Sequence, residues 1–278
     1  GGLAVYASRR IHAGEQILVE RPLVLTVSHQ CRKHICAHCI ADSRKSRPGG
    51  LDGAAAWTVR CDRCGTQHYC SEACAAAAAP RHSGHECQAM ASAEDLRADL
   101  EDDDLDTISQ AIRMLCDKAH GFAISCGPPG VLASATSHAE RLVGISPSTD
   151  EARTCLSRIC AATLRCLPSE VRVPPAELLD LLERHACNLY GVTGPAGEDT
   201  AGASFAGFFH LFNHSCSPNV VFDSARRVDG ATAEGAAPLF ALRALFDTAP
   251  GEELCISYTS SADGIARPGG IGGAAGGG

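Results

Sequence analysis

The apolar positions near both ends of this sequence follow the short alternating period of β-strands. Residues 3–6 and 16–19 alternate in this way, and the glycine-bearing segment between them predicts a turn. Strand-like runs return from residue 187 onward, at 219–222, 238–242 and 253–256. The two ends of the chain are therefore predicted to form small β-sheets.

The middle of the sequence, from about residue 90 to 186, follows a helical period instead. Apolar residues recur there every three or four positions, as at Ile108, Ile112 and Leu115, which predicts amphipathic helices. Three cysteines fall on the apolar side of this pattern, and we expect them to act as small buried hydrophobes: Cys155, Cys160 and Cys166. The region is thus predicted to be a helical insert.

Composition and charge narrow the class of protein. The chain has 278 residues, 45% of them hydrophobic, and a net charge of −8, which is typical of a globular protein and argues against direct nucleic-acid binding. No apolar run is long enough to span a bilayer, so we expect no membrane association. Residues 91–106 carry eight acids against one arginine, and this run is either a solvated helix face or a surface that attracts a basic peptide.

Sixteen cysteines are a high number, and half of them fall between Cys31 and Cys87. No signal peptide is visible, so this clustering favours zinc binding in a reducing compartment over disulfides. The chain contains two C-x2-C pairs and one C-x3-C pair, followed by a histidine and a cysteine, and these eight positions could hold two tetrahedral zinc ions: Cys36, Cys39, Cys61, Cys64, Cys70, Cys74, His82 and Cys87. His85 competes with His82 as the nitrogen ligand.

Two further motifs lie near the end of the sequence. Residues 213–219 read N-H-S-C-S-P-N, and residues 251–258 read G-E-E-L-C-I-S-Y. Together with the cysteine-rich segment, they closely resemble the motifs of the SET-and-MYND family of protein lysine methyltransferases.

The resemblance implies an α+β fold with a β-rich SET domain, in which the segment at 213–219 threads under a loop as a pseudoknot. It also implies a division of the chain into five segments. These are an N-terminal part of the SET domain at 1–30, a MYND-type zinc finger at 31–89, a helical insert at 90–186, the SET core at 187–262 and a disordered glycine-rich tail at 263–278.

The resemblance further implies how the metal ligands divide. One zinc ion is assigned to Cys36, Cys39, Cys70 and Cys74, and the other to Cys61, Cys64, His82 and Cys87. The family separates its last His and Cys by three residues, whereas four separate them here. His82 is preferred over His85 because it keeps the family's distance from Cys74.

By the same resemblance, S-adenosylmethionine is the cofactor, and five residues are expected to form its site and the catalytic centre. Asn213 and His214 bind the cofactor, Tyr258 is the catalytic residue and also contacts the cofactor, and Asn188 and Gly2 line the cofactor site. Phe208 and Phe209 are expected to help form the channel for the substrate lysine.

The sequence therefore predicts a monomeric protein-lysine N-methyltransferase of the cytoplasm or nucleus. Its expected substrate is a histone tail or another lysine-bearing protein, with a role in chromatin, and its finger is expected to bind proline-rich peptides. No cysteine follows Tyr258, whereas the family continues with three that join the cysteine of N-H-S-C on a third zinc ion. We therefore expect a free thiol at Cys216 and a sequence that is part of a longer protein. The alternative is a zinc-dependent interaction adaptor on a catalytically inactive SET scaffold.

Overall fold

The computed structural model describes residues 4–44, 56–125, 132–134, 149–194, 198–205, 207–223 and 236–258. The helices in these ranges are α1 (Glu72–His82), α2 (His85–Glu94), α3 (Asp102–Ala119), α4 (Asp150–Cys166) and α5 (Pro175–Ala186), with 3-10 turns at Ser169–Val171 and Phe209–Leu211. The strands are β1 (Gln16–Glu20), β2 (Val24–Val27), β3 (Val59–Arg60), β4 (His68–Tyr69), β5 (Ala123–Ser125), β6 (Leu132–Ser134), β7 (Tyr190–Thr193), β8 (Asp199–Ser204), β9 (Asn213–His214), β10 (Val220–Asp223), β11 (Phe240–Ala244) and β12 (Cys255–Ile256). The predicted tail at 263–278 lies outside the described residues.

The chain divides into two compact units, of which the first consists of residues 1–18, 211–223 and 242–278. Strands β1, β11 and β10 form its three-stranded sheet in that order, and the boundary of the unit falls within β1 and within β11. Strands β9 and β12 form a separate parallel pair. Tyr6 forms an isolated antiparallel bridge with Glu253. This unit therefore joins parts of the chain that are far apart in sequence.

The second unit consists of residues 19–210 and 224–241. Its main sheet has the order β2-β8-β7, and both pairings are antiparallel. The middle strand β8 is built from small residues, which let a helix approach closely. A Cβ atom at Gly202 would lie 2.5 Å from Nε2 of Gln110 on helix α3, so a larger residue there would displace the Gln110 amide.

Helix α3 is the centre of the core of the second unit. Leu105, Ile108 and Ile112 are each 0% exposed, and Leu115 is 2% exposed. Their spacing of three and four residues is the spacing read from the sequence, so the predicted amphipathic helix is confirmed. Of the three cysteines expected on buried helix faces, Cys160 and Cys166 are buried and Cys155 is half-buried.

Local sequence signals explain where two of the helices begin. The side chain of Thr149 accepts a hydrogen bond from the backbone N–H of Ala152 at 3.2 Å, which caps helix α4. Helix α5 begins with Pro175, whose fixed φ angle and missing N–H suit the first helical position. The helical region also contains the β5–β6 hairpin, which the apolar pattern did not predict.

The acidic run at 91–106 forms the end of helix α2 and the start of helix α3. Acidic side chains at a helix start interact favourably with the helix dipole. Asp104 is 6% exposed and pairs with Arg158 at 2.6 Å, and the Asp106 carboxylate lies 2.7 Å from Nδ1 of His29. Several of these acids are thus paired within the protein, which favours the structural interpretation of the run.

The combination of small sheets with a helical insert confirms the predicted α+β class. Within the described ranges, the helices are all too short or too polar to cross a lipid bilayer.

Candidate functional site

The first cysteine cluster brings together sulfur atoms from a loop and from the start of a helix. Its members, Cys36, Cys39, Cys70 and Cys74, place their Sγ atoms within 4.8 Å of one another. Ser71 caps helix α1 by accepting a hydrogen bond from the backbone N–H of Cys74, at 3.3 Å, so the helix starts between the last two cysteines. Four sulfur atoms in this arrangement could hold a tetrahedral metal ion.

The second cluster combines three sulfur atoms with one ring nitrogen. Cys61, Cys64, His82 and Cys87 each offer a ligand atom within 4.8 Å of the others. Nε2 of His82 lies 3.4 Å from Sγ of Cys64, and Sγ of Cys61 lies 3.6 Å from Sγ of Cys87. The structure thus brings the eight residues named from the sequence into the two groups that the family resemblance implied.

The choice between His82 and His85 follows from the backbone between helices α1 and α2. Gly84 has a φ angle of +84°, a conformation that favours glycine, and the chain turns there after His82. The additional residue relative to the family's spacing is accommodated in this turn. His85 points elsewhere and stacks on His120, with 5.1 Å between the ring centroids.

Each cluster contains one cysteine whose pKa is lowered by neighbouring side chains. The side-chain hydrogen bond from Cys36 lowers the pKa of Cys39 to about 4. Burial works to raise the pKa of Cys64, but hydrogen bonds from His82 and Thr66 outweigh it and lower this pKa to about 6.

The hydrogen bond with Cys39 raises the pKa of Cys36, and burial raises the pKa of Cys70 and of Cys87. The fit to structural zinc therefore rests on the donor sets themselves, which are four sulfur atoms in one cluster and three sulfur atoms with one ring nitrogen in the other.

The two C-terminal motifs meet in the first unit through a parallel strand pair. Asn213 is paired with Cys255 and His214 with Ile256, and the backbone N–H of Ser215 donates to the carbonyl oxygen of Ile256 at 2.9 Å. This pairing brings the N-H-S-C segment beside the segment that ends in the candidate catalytic tyrosine. The threading of one segment under a loop stays a prediction.

Tyr258 and His214 contact each other directly. The backbone N–H of Tyr258 donates to Nδ1 of His214 at 3.0 Å, and the two rings lie 5.3 Å apart between centroids. Because Nδ1 accepts this hydrogen bond, the proton of the neutral imidazole lies on Nε2, which faces Sγ of Cys216 at 3.4 Å. Tyr258 is 61% exposed, so its ring is open to a ligand.

Two residues that the sequence analysis did not single out hold this arrangement together. Oε1 of Glu253 accepts a hydrogen bond from the amide of Asn213 at 2.7 Å. The side chain of Asn219 donates to the carbonyl oxygen of Glu253 and accepts from the backbone N–H of Cys255, both at 2.8 Å. Asn219 and Glu253 lie within the two motifs, and this position in the sequence could have identified them as site residues.

Two further residues were predicted to line the cofactor site, Asn188 and Gly2. Asn188 belongs to the second unit, and its amide donates to the carbonyl oxygen of Arg184 at 2.7 Å. Asn188 lies between the end of helix α5 and the start of strand β7 at Tyr190, and its role in lining the cofactor site stays a prediction. Gly2 lies outside the described residues.

Phe208 and Phe209 have different environments in the second unit. Phe209 is 0% exposed and packs on Phe205 with 4.2 Å between ring centroids, whereas Phe208 is 40% exposed. The hydroxyl of Tyr190 donates to the carbonyl oxygen of Phe209 at 2.9 Å. Phe209 is therefore part of the core, and Phe208 is the member of the pair that is open to a substrate.

Glu20 is a buried carboxylate that fixes the backbone of this aromatic segment. It is 2% exposed, and the backbone N–H groups of Gly207, Phe208 and Phe209 donate to it. Burial raises the pKa of Glu20, and these hydrogen bonds oppose the shift. A Cβ atom at Gly207 would collide with the Glu20 carboxylate, so a larger residue there would displace this group. In the sequence, Glu20 is an acidic residue at the end of an apolar strand, and this position could have indicated a buried carboxylate.

The fold and the two C-terminal motifs define a SET domain. A family model described as the SET domain matches residues 2–259, and the chain belongs to this family.

Within the family, the curated relatives are lysine methyltransferases. Histone-lysine N-methyltransferase SMYD3 of Homo sapiens is 24% identical over 264 residues, which cover 92% of this chain and 53% of the relative. The protein of the same name from Mus musculus is 23% identical over the same shares. These similarities confirm the predicted resemblance to the SET-and-MYND family. The chain spans about half the length of the curated relatives it matches.

Proposed function

We propose that this chain is the S-adenosylmethionine-dependent part of a protein-lysine N-methyltransferase. The observation that carries the proposal is the parallel pairing of residues 213–214 with residues 255–256, which joins two segments of a SET domain. This pairing holds Tyr258 against His214, beside Asn213. The exposed tyrosine and the two residues expected to bind the cofactor thus form one rigid group.

The roles of these side chains follow from what methyl transfer requires. S-adenosylmethionine supplies an activated methyl group when it is bound. Asn213 and His214 would bind it, with the Asn213 amide held in one orientation by Glu253. A substrate lysine must arrive as the neutral amine, although its usual pKa is about 10.4. The protein therefore contributes binding, orientation and removal of water from the amine.

The electrostatics of Tyr258 favour an orienting role over that of a general base. Partial burial around its hydroxyl group, and to a lesser extent the interaction with Cys255, raise the pKa of Tyr258. The phenol therefore keeps its proton at neutral pH. A protonated phenol can hold the lysine amine and the methyl group in line through hydrogen bonds but does not remove a proton from the amine.

The zinc ions have a structural role in this proposal. Each cluster would fill all four positions of a tetrahedral ion with protein ligands and would leave no open position for a substrate. The segment at 31–89 would be a MYND-type finger that the two ions stabilise. Such a finger would also offer a surface for proline-rich peptides.

The substrate is proposed to be a lysine in a histone tail or in another protein. Both curated relatives are named histone-lysine N-methyltransferases, which supports this substrate class. The protein would act as a monomer in the cytoplasm or nucleus, with a role in chromatin, and would not bind nucleic acid directly.

A calorimetric titration of the zinc-loaded chain with S-adenosylmethionine tests the proposal. We expect micromolar binding, about −8 kcal/mol, that Asn213→Ala abolishes and Ser217→Ala preserves, since Ser217 is exposed on the same segment. Transfer of a labelled methyl group to lysine in histone and non-histone proteins then tests the reaction. A folded chain that neither binds the cofactor nor transfers the methyl group would refute the proposal.

A further inference from the structure

The second metal cluster is connected to a buried carboxylate that is not one of its ligands. Nδ1 of His82 lies 3.0 Å from Oε1 of Glu86, which is four residues further along the chain. Nε2 of His82 faces Sγ of Cys64 at 3.4 Å. Glu86 is 1% exposed. A carboxylate that accepts the Nδ1–H proton leaves the lone pair on Nε2, which is the atom directed at the sulfur atoms of the cluster.

Glu86 is held in turn by an arginine from a different part of the fold. Arg113 of helix α3 donates through Nη2 to Oε1 of Glu86 at 2.7 Å and through Nε to Oε2 at 3.2 Å. Arg113 is 7% exposed. Both oxygens of the carboxylate are thus fixed by one guanidinium group, which sets the orientation of the oxygen that meets His82.

The chain of contacts continues to the main sheet of the second unit. Nη1 of Arg113 donates to the carbonyl oxygen of Leu25 in strand β2. A second arginine makes a parallel connection nearby, because Arg81 of helix α1 pairs with Asp117 of helix α3 and also donates to the carbonyl oxygen of Leu23. The metal cluster and strand β2 are therefore joined through buried, charged hydrogen bonds.

We propose that Glu86 and Arg113 are positioning residues of the second metal site. Glu86 fixes the tautomer and orientation of His82, and Arg113 holds Glu86 while it ties the site to strand β2. The proposal rests on zinc binding by the four ligands of this cluster and is independent of methyl transfer. A buried ion pair is in general a weak source of stability, so a role in orienting a ligand explains this pair better than stability alone.

The test compares zinc affinities of matched variants by competition with a chelator. Glu86→Gln removes the charge that orients His82 and keeps the shape of the side chain. The control is Glu94→Gln, which lies on the same helix and breaks a more exposed pair with Arg32. We expect Glu86→Gln to weaken zinc binding at one of the two sites by about 10- to 100-fold and the control to leave both affinities unchanged.

Cobalt(II) identifies the affected site, because its visible bands differ between four sulfur ligands and three sulfur ligands with one nitrogen. The three-sulfur site alone should change in Glu86→Gln. A wild-type chain that binds no metal at this cluster would overturn the proposal together with the zinc assignment. Two normal zinc affinities in Glu86→Gln would overturn the proposal alone.

A double variant separates positioning from stability. Combining Glu86→Gln with Arg113→Met removes both buried charges, so neither is left unpaired, and the resistance to urea should recover relative to Arg113→Met alone. Zinc affinity should stay low, because neither new side chain restores a charged acceptor for His82. Recovery of zinc affinity along with stability would show a purely structural role and would overturn the proposal.

Discussion

The hydroxyl of Tyr258 donates a hydrogen bond to the carbonyl oxygen of Phe212 at 2.8 Å. This carbonyl directly precedes Asn213, so the phenol is tied to the segment expected to bind the cofactor. The backbone N–H of Tyr258 donates to His214 as well. An exposed tyrosine is thereby held at both ends, and its ring has one defined position relative to Asn213 and His214.

Tyr258→Phe should reduce the turnover number by about 10²- to 10³-fold, the loss typical of removing one orienting hydrogen-bonding group from a reacting centre. The affinity for S-adenosylmethionine should be nearly unchanged, because the backbone contact to His214 remains. Measuring both quantities on the same preparation checks this. Unimpaired methyl transfer to a lysine-bearing substrate would refute the catalytic assignment.

Asn219→Ala should destabilise the first unit by about 1–3 kcal/mol, since the backbone groups of Glu253 and Cys255 both lose their side-chain partner. Urea unfolding of the variant and of Ser217→Ala provides the comparison. We also expect weaker cofactor binding in Asn219→Ala, because the parallel pair of strands β9 and β12 is no longer fastened there. Equal stability of the two variants would show that this amide is dispensable.

Glu20→Gln should loosen the aromatic segment that contains Phe208. The variant keeps one carbonyl oxygen but loses the negative charge that accepts three backbone N–H groups, at a cost of about 1.5–3 kcal/mol. Hydrogen exchange of a peptide that covers residues 207–212 should accelerate. The control is Glu15→Gln, which breaks an ion pair with Arg9 at the protein surface and should leave that exchange rate unchanged.

We expect the protein to be less stable in mild acid than at neutral pH because of the buried side chain of His185. It is 2% exposed on helix α5, its Nε2 lies 2.8 Å from Oε1 of Gln110, and burial lowers its pKa to about 4. Above pH 6.5, the pKa of this histidine in the unfolded chain, the buried neutral imidazole contributes its full stability. This contribution falls as the pH decreases from 6.5 to 4, by up to about 3 kcal/mol.

The measurement is the free energy of unfolding in urea at several pH values between 7.5 and 4.5, for wild type and His185→Gln. Zinc release in acid affects both proteins, so their difference isolates the histidine. The wild-type protein should lose more stability than the variant over this range. Parallel curves for the two proteins would contradict the assignment of a depressed pKa.

The sequence allowed those parts of the site to be predicted whose geometry is local. A C-x2-C pair or a helical C-x3-C pair brings its own sulfur atoms together, so the spacing identified the three cysteine pairs. The division into two clusters and the preference for His82 came from the family resemblance. Asn213, His214 and Tyr258 could be named because they lie in motifs.

Partners that meet through tertiary packing could not be predicted in this way. Glu20 meets Phe208 across 188 positions, and Arg113 meets Leu25 across 88. Neither Glu20 nor Arg113 lies in a sequence motif that identifies its partner. The position of Asn188 depended on where one helix ends and the next strand begins, which apolar periodicity locates poorly.

The bridge between Tyr6 and Glu253 has a consequence for the order in which the protein folds during synthesis. Both cysteine clusters lie within the continuous stretch 19–210, so a growing chain can complete them while the C-terminal motifs are still inside the ribosome. The segment that carries Tyr6 has to wait until residue 253 has emerged before it can pair. The zinc-binding part is therefore complete early, and the centre proposed for methyl transfer is among the last parts of the molecule to form.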